Sequence, residues 1–149
     1  MPYSIGEAAR MTGVNISTLR YYDREGLFPK ISRTDGGIRI FSDVEMETLQ
    51  IIECLKMTDM PIKDIKQFLD WCQAGDSTLQ QRRDMFYERL DCMNRKMQEL
   101  QQTINTVKYK CWYYDTALSA GTEEVSKNMS EKDMPEEIQI YKREMMRKK

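Results

Sequence analysis

From Leu79 to Leu118 this chain carries one uninterrupted pattern, and that pattern limits the fold more than any other stretch. Leu79, Arg83, Phe86, Leu90, Met93, Met97, Leu100, Ile104, Val107, Cys111, Tyr114 and Leu118 follow at alternating spacings of four and three. Only Arg83 breaks the apolar sequence of a and d positions, so the run predicts a coiled coil and not an ordinary amphipathic helix. No proline interrupts it and no glycine occurs before Gly121, so one helix can run through. About 40 residues at ~1.5 Å each make a rod of roughly 60 Å. Its narrow apolar seam is too long for the chain's own head to cover, and a second copy is the simplest cover. A long helix folded back on its own chain is the alternative. Heptads alone leave the parallel and antiparallel arrangements both open.

The totals narrow the function. With 149 residues the chain suits one domain plus an appendage. Charged residues make up 32% yet the net charge is −1, so bulk electrostatics promise no polycation. No 18-residue apolar run and no signal-like start is present, which predicts a cytoplasmic protein with no membrane contact. Cys54, Cys72, Cys92 and Cys111 contain no C-x-x-C pair and fit reduced thiols better than a disulfide framework. The chain has no histidine. That removes Ser-His-Asp and Cys-His catalysis and most mixed zinc sites, and no glycine-rich phosphate loop is found. An enzyme is not expected, nor a metal or cofactor.

The first forty residues read as a DNA-binding head. Ser4-Ile5-Gly6-Glu7 is a capping box that opens a short helix, and Gly13 sits where a left-handed cap would end it. Asn15 is a good N-cap for a second helix, Ile16 to Glu25, stopped by Gly26. Two short helices on a tight glycine turn make a helix-turn-helix. The second carries Thr18, Arg20, Tyr21, Tyr22 and Arg24 around an inward Leu19, the groups that clamp phosphates and read base edges. One tyrosine is expected to pack inward, and Arg20 has Asp23 or Glu25 as competing partners. Asp35-Gly36 between β-prone runs predicts a hairpin, flanked by Arg33 and Arg39 as a projecting cationic wing. Residues 1–41 hold six Lys/Arg against four Asp/Glu, a net of only +2, so placement and not bulk charge carries the DNA reading.

Ser42 to Glu45 forms a second capping box, opening a helix expected to bury Val44, Ile51, Ile52 and Leu55. Pro61 is expected at the first position of another, with Ile62, Ile65, Phe68, Leu69 and Cys72 on one face, ended by Gly75. Asp76 or Ser77 is then placed to cap the long helix. Residues 122–149 carry seven acidic and seven basic side chains, a tail partly helical or disordered, with a last helix after Pro135 through Ile138, Tyr141 and Met145. The domains are thus 1–75 as head with linker helices, 76–120 as coiled coil, and 121–149 as tail.

The stretches I-G-E-A-A-R-M-T-G-V, S-T-L-R-Y-Y-D-R-E-G-L and R-T-D-G-G-I-R-I-F together resemble the winged helix-turn-helix of MerR-family transcription regulators. The resemblance implies a mainly α fold: a winged helix-turn-helix head with a small β-hairpin, then a long dimerisation helix. It implies DNA contacts at Thr18, Arg20, Tyr21, Tyr22, Arg33, Arg39 and Lys56. Where the family usually has a wing tyrosine this chain has Ile38, which removes a hydroxyl. A homodimer on double-stranded, pseudo-palindromic DNA is implied, at promoters whose over-long spacer is distorted until RNA polymerase engages. Relatives that bind large ligands carry an extra domain, which is not expected here. Metal-sensing relatives place cysteines at the start of the long helix and after it, and residues 74–80 and 119–149 have none. I-E-C-L-K-M-T-D-M-P and K-C-W-Y-Y-D-T-A-L-S-A-G-T-E-E are similar to a subgroup answering to aldehydes and other electrophiles. That subgroup has a cysteine at the position of Cys54.

Lys56 and Lys63 lie near Cys54 in sequence and favour the thiolate, whereas Glu53 opposes it. Cys54 is expected either as a sensor thiol in a packed joint between head and rod or as inert packing, and Cys111 as packing in the seam. A different class of protein, a coiled-coil adaptor binding protein instead of DNA, would have no need of the cationic wing.

Overall fold

Ser4 begins the fold by doing two jobs. Its hydroxyl accepts from the Glu7 amide at 3.2 Å, and the Glu7 carboxylate accepts from the Ser4 amide at 2.8 Å. This reciprocal cap, worth about 1 kcal/mol, starts α1, Ile5–Thr12, and Gly13 ends it at φ 74°. The computed structural model describes residues 2–147; the last two lysines of the charged tail lie outside the described residues. Helix α2 is Ile16–Arg24. Asn15 precedes it in extended conformation, and its carbonyl accepts from the Leu19 amide at 3.0 Å. Its side chain makes no cap bond, contrary to the expectation.

The hairpin closes differently from the Asp-Gly expectation. Strands β2, Ser32–Arg33, and β3, Arg39–Phe41, pair antiparallel. The residue with positive φ is Gly37, at 82°, not Gly36. The turn is wider than a two-residue primed turn: the Gly37 amide donates to the Thr34 carbonyl, and Thr34 and Ile38 then bond across it. A third strand was not foreseen. Strand β1, Tyr3–Ser4, pairs antiparallel with β3, opposite Phe41 and Ile40, giving the order β1, β3, β2. Two residues are too few to show alternation in sequence.

Helices α3, Asp43–Lys56, and α4, Ile62–Ala74, complete the head. The second capping box is present: Ser42 donates its amide to Glu45 at 2.9 Å, which is why the Glu45 side chain is buried. Helix α3 buries Leu49, Ile52 and Leu55 as expected of its inner face, but leaves Val44 and Ile51 exposed. Each precedes a buried residue by one position, so the helix turns it some 100° away from the buried stripe. Pro61 is the N-cap of α4 and not its first residue. Leu19, Tyr22, Leu27, Phe41, Leu49, Ile52, Leu55 and Ile65 are the fully buried large side chains of one core. At ~1.5–3 kcal/mol each, they make the head's apolar interior.

Between α4 and the long helix neither Asp76 nor Ser77 acts as a side-chain cap. A single 3-10 turn, Asp76–Thr78, stands there instead. The Thr78 hydroxyl donates within reach of the Trp71 and Gly75 carbonyls, 2.6 and 2.8 Å, and Arg82 donates to Thr78 Oγ1 at 3.1 Å and the Gly75 carbonyl at 2.9 Å.

Helix α5 is Leu79–Ala120, 42 residues without a break. Gly121 ends it at φ 74°, as its position predicts. The seam is exposed in the single chain: Leu79, Phe86, Leu90, Met97, Leu100, Ile104, Val107, Tyr114 and Leu118 all face solvent. Cys111 is exposed with them and Met93 is half-buried. Phe86 also meets its own α4, with ring centroids 5.4 Å from Phe68 in an edge-on contact.

The chain forms two compact units, one ending at Leu90 and one beginning at Asp91. In the second, what reads in sequence as a charged tail is folded. Helix α6, Glu124–Asn128, a 3-10 turn at Glu131–Asp133 and helix α7, Glu136–Arg147, follow α5. Met134, Ile138 and Tyr141 bury themselves with Tyr109 of α5, bordered by Trp112, Tyr113, Met129 and Met145. No helix among the described residues is long and apolar enough to cross a membrane.

Candidate nucleic-acid interface

Helix α2 sorts its side chains by period. Leu19 and Tyr22, three apart, point into the core at 0% and 1% exposure, while Ser17, Arg20, Tyr21 and Arg24 remain exposed. Thr18 is half-buried. The tyrosine expected to pack is therefore Tyr22, and the contact assigned to its side chain is corrected: a ring closed off by the core is not available to a partner. Its hydroxyl donates to Glu53 Oε1 of α3 at 3.0 Å. Burial pushes the Tyr22 phenol up, an effect that the Glu53 carboxylate reinforces.

Lys56, the outlying member of the sequence-read set, is exposed but engaged. Its Nζ lies 5.4 Å from the centre of the Tyr22 ring, a cation–π distance. The neighbouring Tyr22 phenol holds its ammonium above the ordinary lysine range. Cys54 lies between Glu53 and Lys56 in sequence and is exposed. The packed joint expected around it is thus corrected: α3 turns Ile52 and Leu55 inward and Cys54 outward. Cys72 is half-buried against the head core, and Cys92 is half-buried with Arg95 at 3.5 Å.

The wing arginines converge on one acid. Arg33 Nη2 and Arg39 Nε donate to the same oxygen, Asp23 Oδ2, at 2.7 and 2.6 Å. Arg33 also donates through Nη1 to the Gly37 carbonyl at 3.1 Å. Asp23 thereby pairs with the wing and not with Arg20, the partner suggested by proximity. Sequence reading missed this role of Asp23, because its partners lie 10 and 16 positions away. Arg33 keeps 44% of its side chain exposed and Arg39 20%, so the wing is cationic but only partly projecting. Ile38 at its tip is exposed at 62%. The structure therefore brings Arg33 and Arg39 onto α2, leaves Arg20 and Tyr21 exposed on the same helix, and ties Lys56 to the buried Tyr22.

A helix presenting an arginine and a tyrosine, followed by a hairpin whose two cations are fixed to that helix, suits a groove lined by phosphates. Comparisons with known proteins agree. Residues 3–71 match the MerR HTH family regulatory protein model, and residues 46–108 match a second, MerR, DNA binding. A helix-turn-helix-type transcriptional regulator of Haemophilus influenzae, itself uncharacterised, is 34% identical over 122 residues, 82% of this chain and 90% of that one. Among solved structures, HiNmlR, a MerR family regulator lacking the sensor domain and bound to promoter DNA, superposes with TM-score 0.71 at 33% identity. It covers 87% of this chain and 98% of its own. A MerR family regulator from Bacillus thuringiensis gives TM-score 0.62 at 39% identity over 74% of this chain and 97% of its own. The chain belongs to the MerR family of helix-turn-helix regulatory proteins, DNA-binding transcription regulators and not enzymes.

Proposed function

We propose that the protein acts as a homodimer on a pseudo-palindromic promoter, each head reading one half-site. The exposed face of α2 with its attached wing carries the reading. Arg20, Tyr21 and Thr18 serve the major groove, and Arg33 and Arg39 the flanking phosphates. Lys56 adds a cation whose position is set by Tyr22. The exposed a and d side chains of α5 support the dimer, since an apolar seam of that length is rarely left in water. Two-fold symmetry in the protein then asks for two-fold symmetry in the operator. The DNA-bound state reported for HiNmlR supports promoter DNA as the partner. The bound dimer distorts the spacer of its promoter and so governs access by RNA polymerase.

A signal enters through Cys54 in this reading. The thiol is exposed to an electrophile, and it neighbours in sequence the two residues, Glu53 and Lys56, that hold Tyr22 of α2. An adduct there alters α3 where it grips α2, with the dimer intact.

A mobility-shift titration with the intergenic DNA upstream of the coding sequence tests the reading. Retardation that is lost with a scrambled duplex, and a complex holding two chains of 17.7 kDa each, are expected. A single chain on the DNA, or equal affinity for both duplexes, overturns it. For the signal, Cys54→Ser should bind the same DNA yet lose the transcriptional response to small aldehydes or quinones. A serine variant that still responds removes Cys54 from the pathway.

A further inference from the structure

We propose that Asp23 is a positioning residue for DNA recognition: it locks Arg33 and Arg39 to α2, so that helix and wing reach DNA as one rigid unit. The inference rests on the promoter-binding reading above and concerns a residue that touches no DNA itself. One carboxylate oxygen, Asp23 Oδ2, receives both guanidiniums, 2.7 Å from Arg33 Nη2 and 2.6 Å from Arg39 Nε. Bonds with both partners charged are the strong kind, and Asp23 is only 10% exposed. The lock is extended at the turn, where Arg33 Nη1 holds the Gly37 carbonyl.

Taken alone, an acid on a DNA-facing helix is unfavourable, because it repels phosphate and cancels one of two useful cations. Its presence there makes sense through geometry. A guanidinium has five N–H donors. Arg39 commits its Nε and Arg33 one donor on each terminal nitrogen, so both retain donors for phosphate. Free arginines on a two-strand wing would have to be immobilised when DNA binds, and that loss of rotamer freedom weakens affinity. Arginines already immobilised by Asp23 avoid most of it. The wing has independent support from the pairing of β2 with β3 and of β3 with Tyr3–Ser4, so the strands do not depend on Asp23 to form.

The two effects of Asp23 have opposite signs in one experiment. Asp23→Asn raises the charge of the head by one unit, and simple electrostatics then predicts tighter DNA binding with a steeper salt dependence. Loss of positioning predicts the reverse. Operator affinity is measured by fluorescence anisotropy on the full chain, using a labelled duplex from the upstream intergenic DNA and a scrambled duplex of equal length. We expect Asp23→Asn to weaken binding to the upstream duplex about tenfold, with an unchanged melting temperature, and Asp23→Glu to recover part of it. In the Arg33→Ala/Arg39→Ala background the same substitution should cost nothing. Tighter or equal binding by Asp23→Asn overturns the proposal, as does an undiminished loss in the double-alanine background. Failure of the wild-type protein to prefer the upstream duplex sinks the promoter reading, and the role of Asp23 falls with it.

Discussion

The head and the second unit solve the same burial problem to different degrees. In the head, Leu19, Leu49, Ile52 and Ile65 are wholly enclosed by side chains of the same chain. Beyond Leu90 the enclosed side chains are few, chiefly Tyr109, Met134, Ile138 and Tyr141, while Met97, Leu100 and Val107 stay more than half exposed. A chain that completes one core and leaves a heptad seam bare has placed its recognition surface on a self-sufficient body. In the dimer proposed above, assembly falls to a second copy. The difference teaches where each kind of substitution acts: in the head on folding, in the seam on association.

The largest effect should come from the seam. Leu100→Asp puts a carboxylate at an exposed core position of the heptad pattern, where a dimer would have to bury it unpaired. Sedimentation at micromolar concentration is expected to show a species of one chain mass, 17.7 kDa, and operator binding should vanish with the second half-site. Circular dichroism of the head should persist. A Leu100→Asp protein that remains dimeric breaks the division between a finished head and an unfinished seam.

The converse substitution is next in size. Leu49→Ala removes a side chain that is 0% exposed, and such a cavity costs ~2–5 kcal/mol of stability. Urea unfolding should show that loss, with the dimer mass unchanged wherever the protein is folded. If Leu49→Ala dissociates the dimer before it unfolds, the head is not the independent body described above.

How much of this was legible in the sequence depended on the range of the interactions. Both capping boxes were, because donor and acceptor lie three residues apart and the serine and glutamate announce each other. The long helix was legible from period alone. One buried tyrosine was expected in α2, but only the partner Glu53, 31 positions away, identifies it as Tyr22. Asp23 was read against its neighbour Arg20, whereas its partners come from the wing. Val44 and Ile51 were placed inside because they are apolar, yet the buried stripe of α3 runs one position later. Cys54 was expected in packing because cysteine is commonly buried, and helix phase turns it outward. The helix through Ile138 and Tyr141 was expected, but not its packing with Met134 on Tyr109 of α5, a residue that lies outside the heptad seam.

A smaller effect, confined to the head, tests its recognition face. Arg20→Ala leaves the core untouched, since the side chain is exposed. A base contact at Arg20 predicts relaxed sequence preference worth ~1–3 kcal/mol, and a phosphate contact predicts a salt slope reduced by about one unit. Affinity, slope and melting temperature all equal to wild type would take Arg20 out of the interface.

The smallest effect is silent at neutral pH and separates the units by their tyrosines. In the second unit, burial pushes the phenol of Tyr113 up to about 12, assisted by its bond to Glu123. Tyr109 is raised by burial and Tyr141 chiefly by its hydrogen bond to Glu137. In the head Tyr22 is raised, mainly by burial, and Lys56 by the Tyr22 phenol. A phenol whose folded value exceeds the ordinary one, about 10, favours folding fully below that value. The contribution is then lost as pH climbs through the folded value, for Tyr113 between about pH 10 and about 12. The large shift at Tyr113, joined by Tyr109 and Tyr141, predicts that alkali loosens the second unit first. The two tryptophans report on one unit each, Trp71 in the head and Trp112 beyond Leu90. In Trp71→Phe the emission of Trp112 should shift at lower pH than the emission of Trp71 does in Trp112→Phe. Adding Tyr113→Phe, which has no phenol to ionise, should move the Trp112 transition upward. Simultaneous transitions, or a head that yields first, would show that the second unit's tyrosine cluster does not set its alkaline limit.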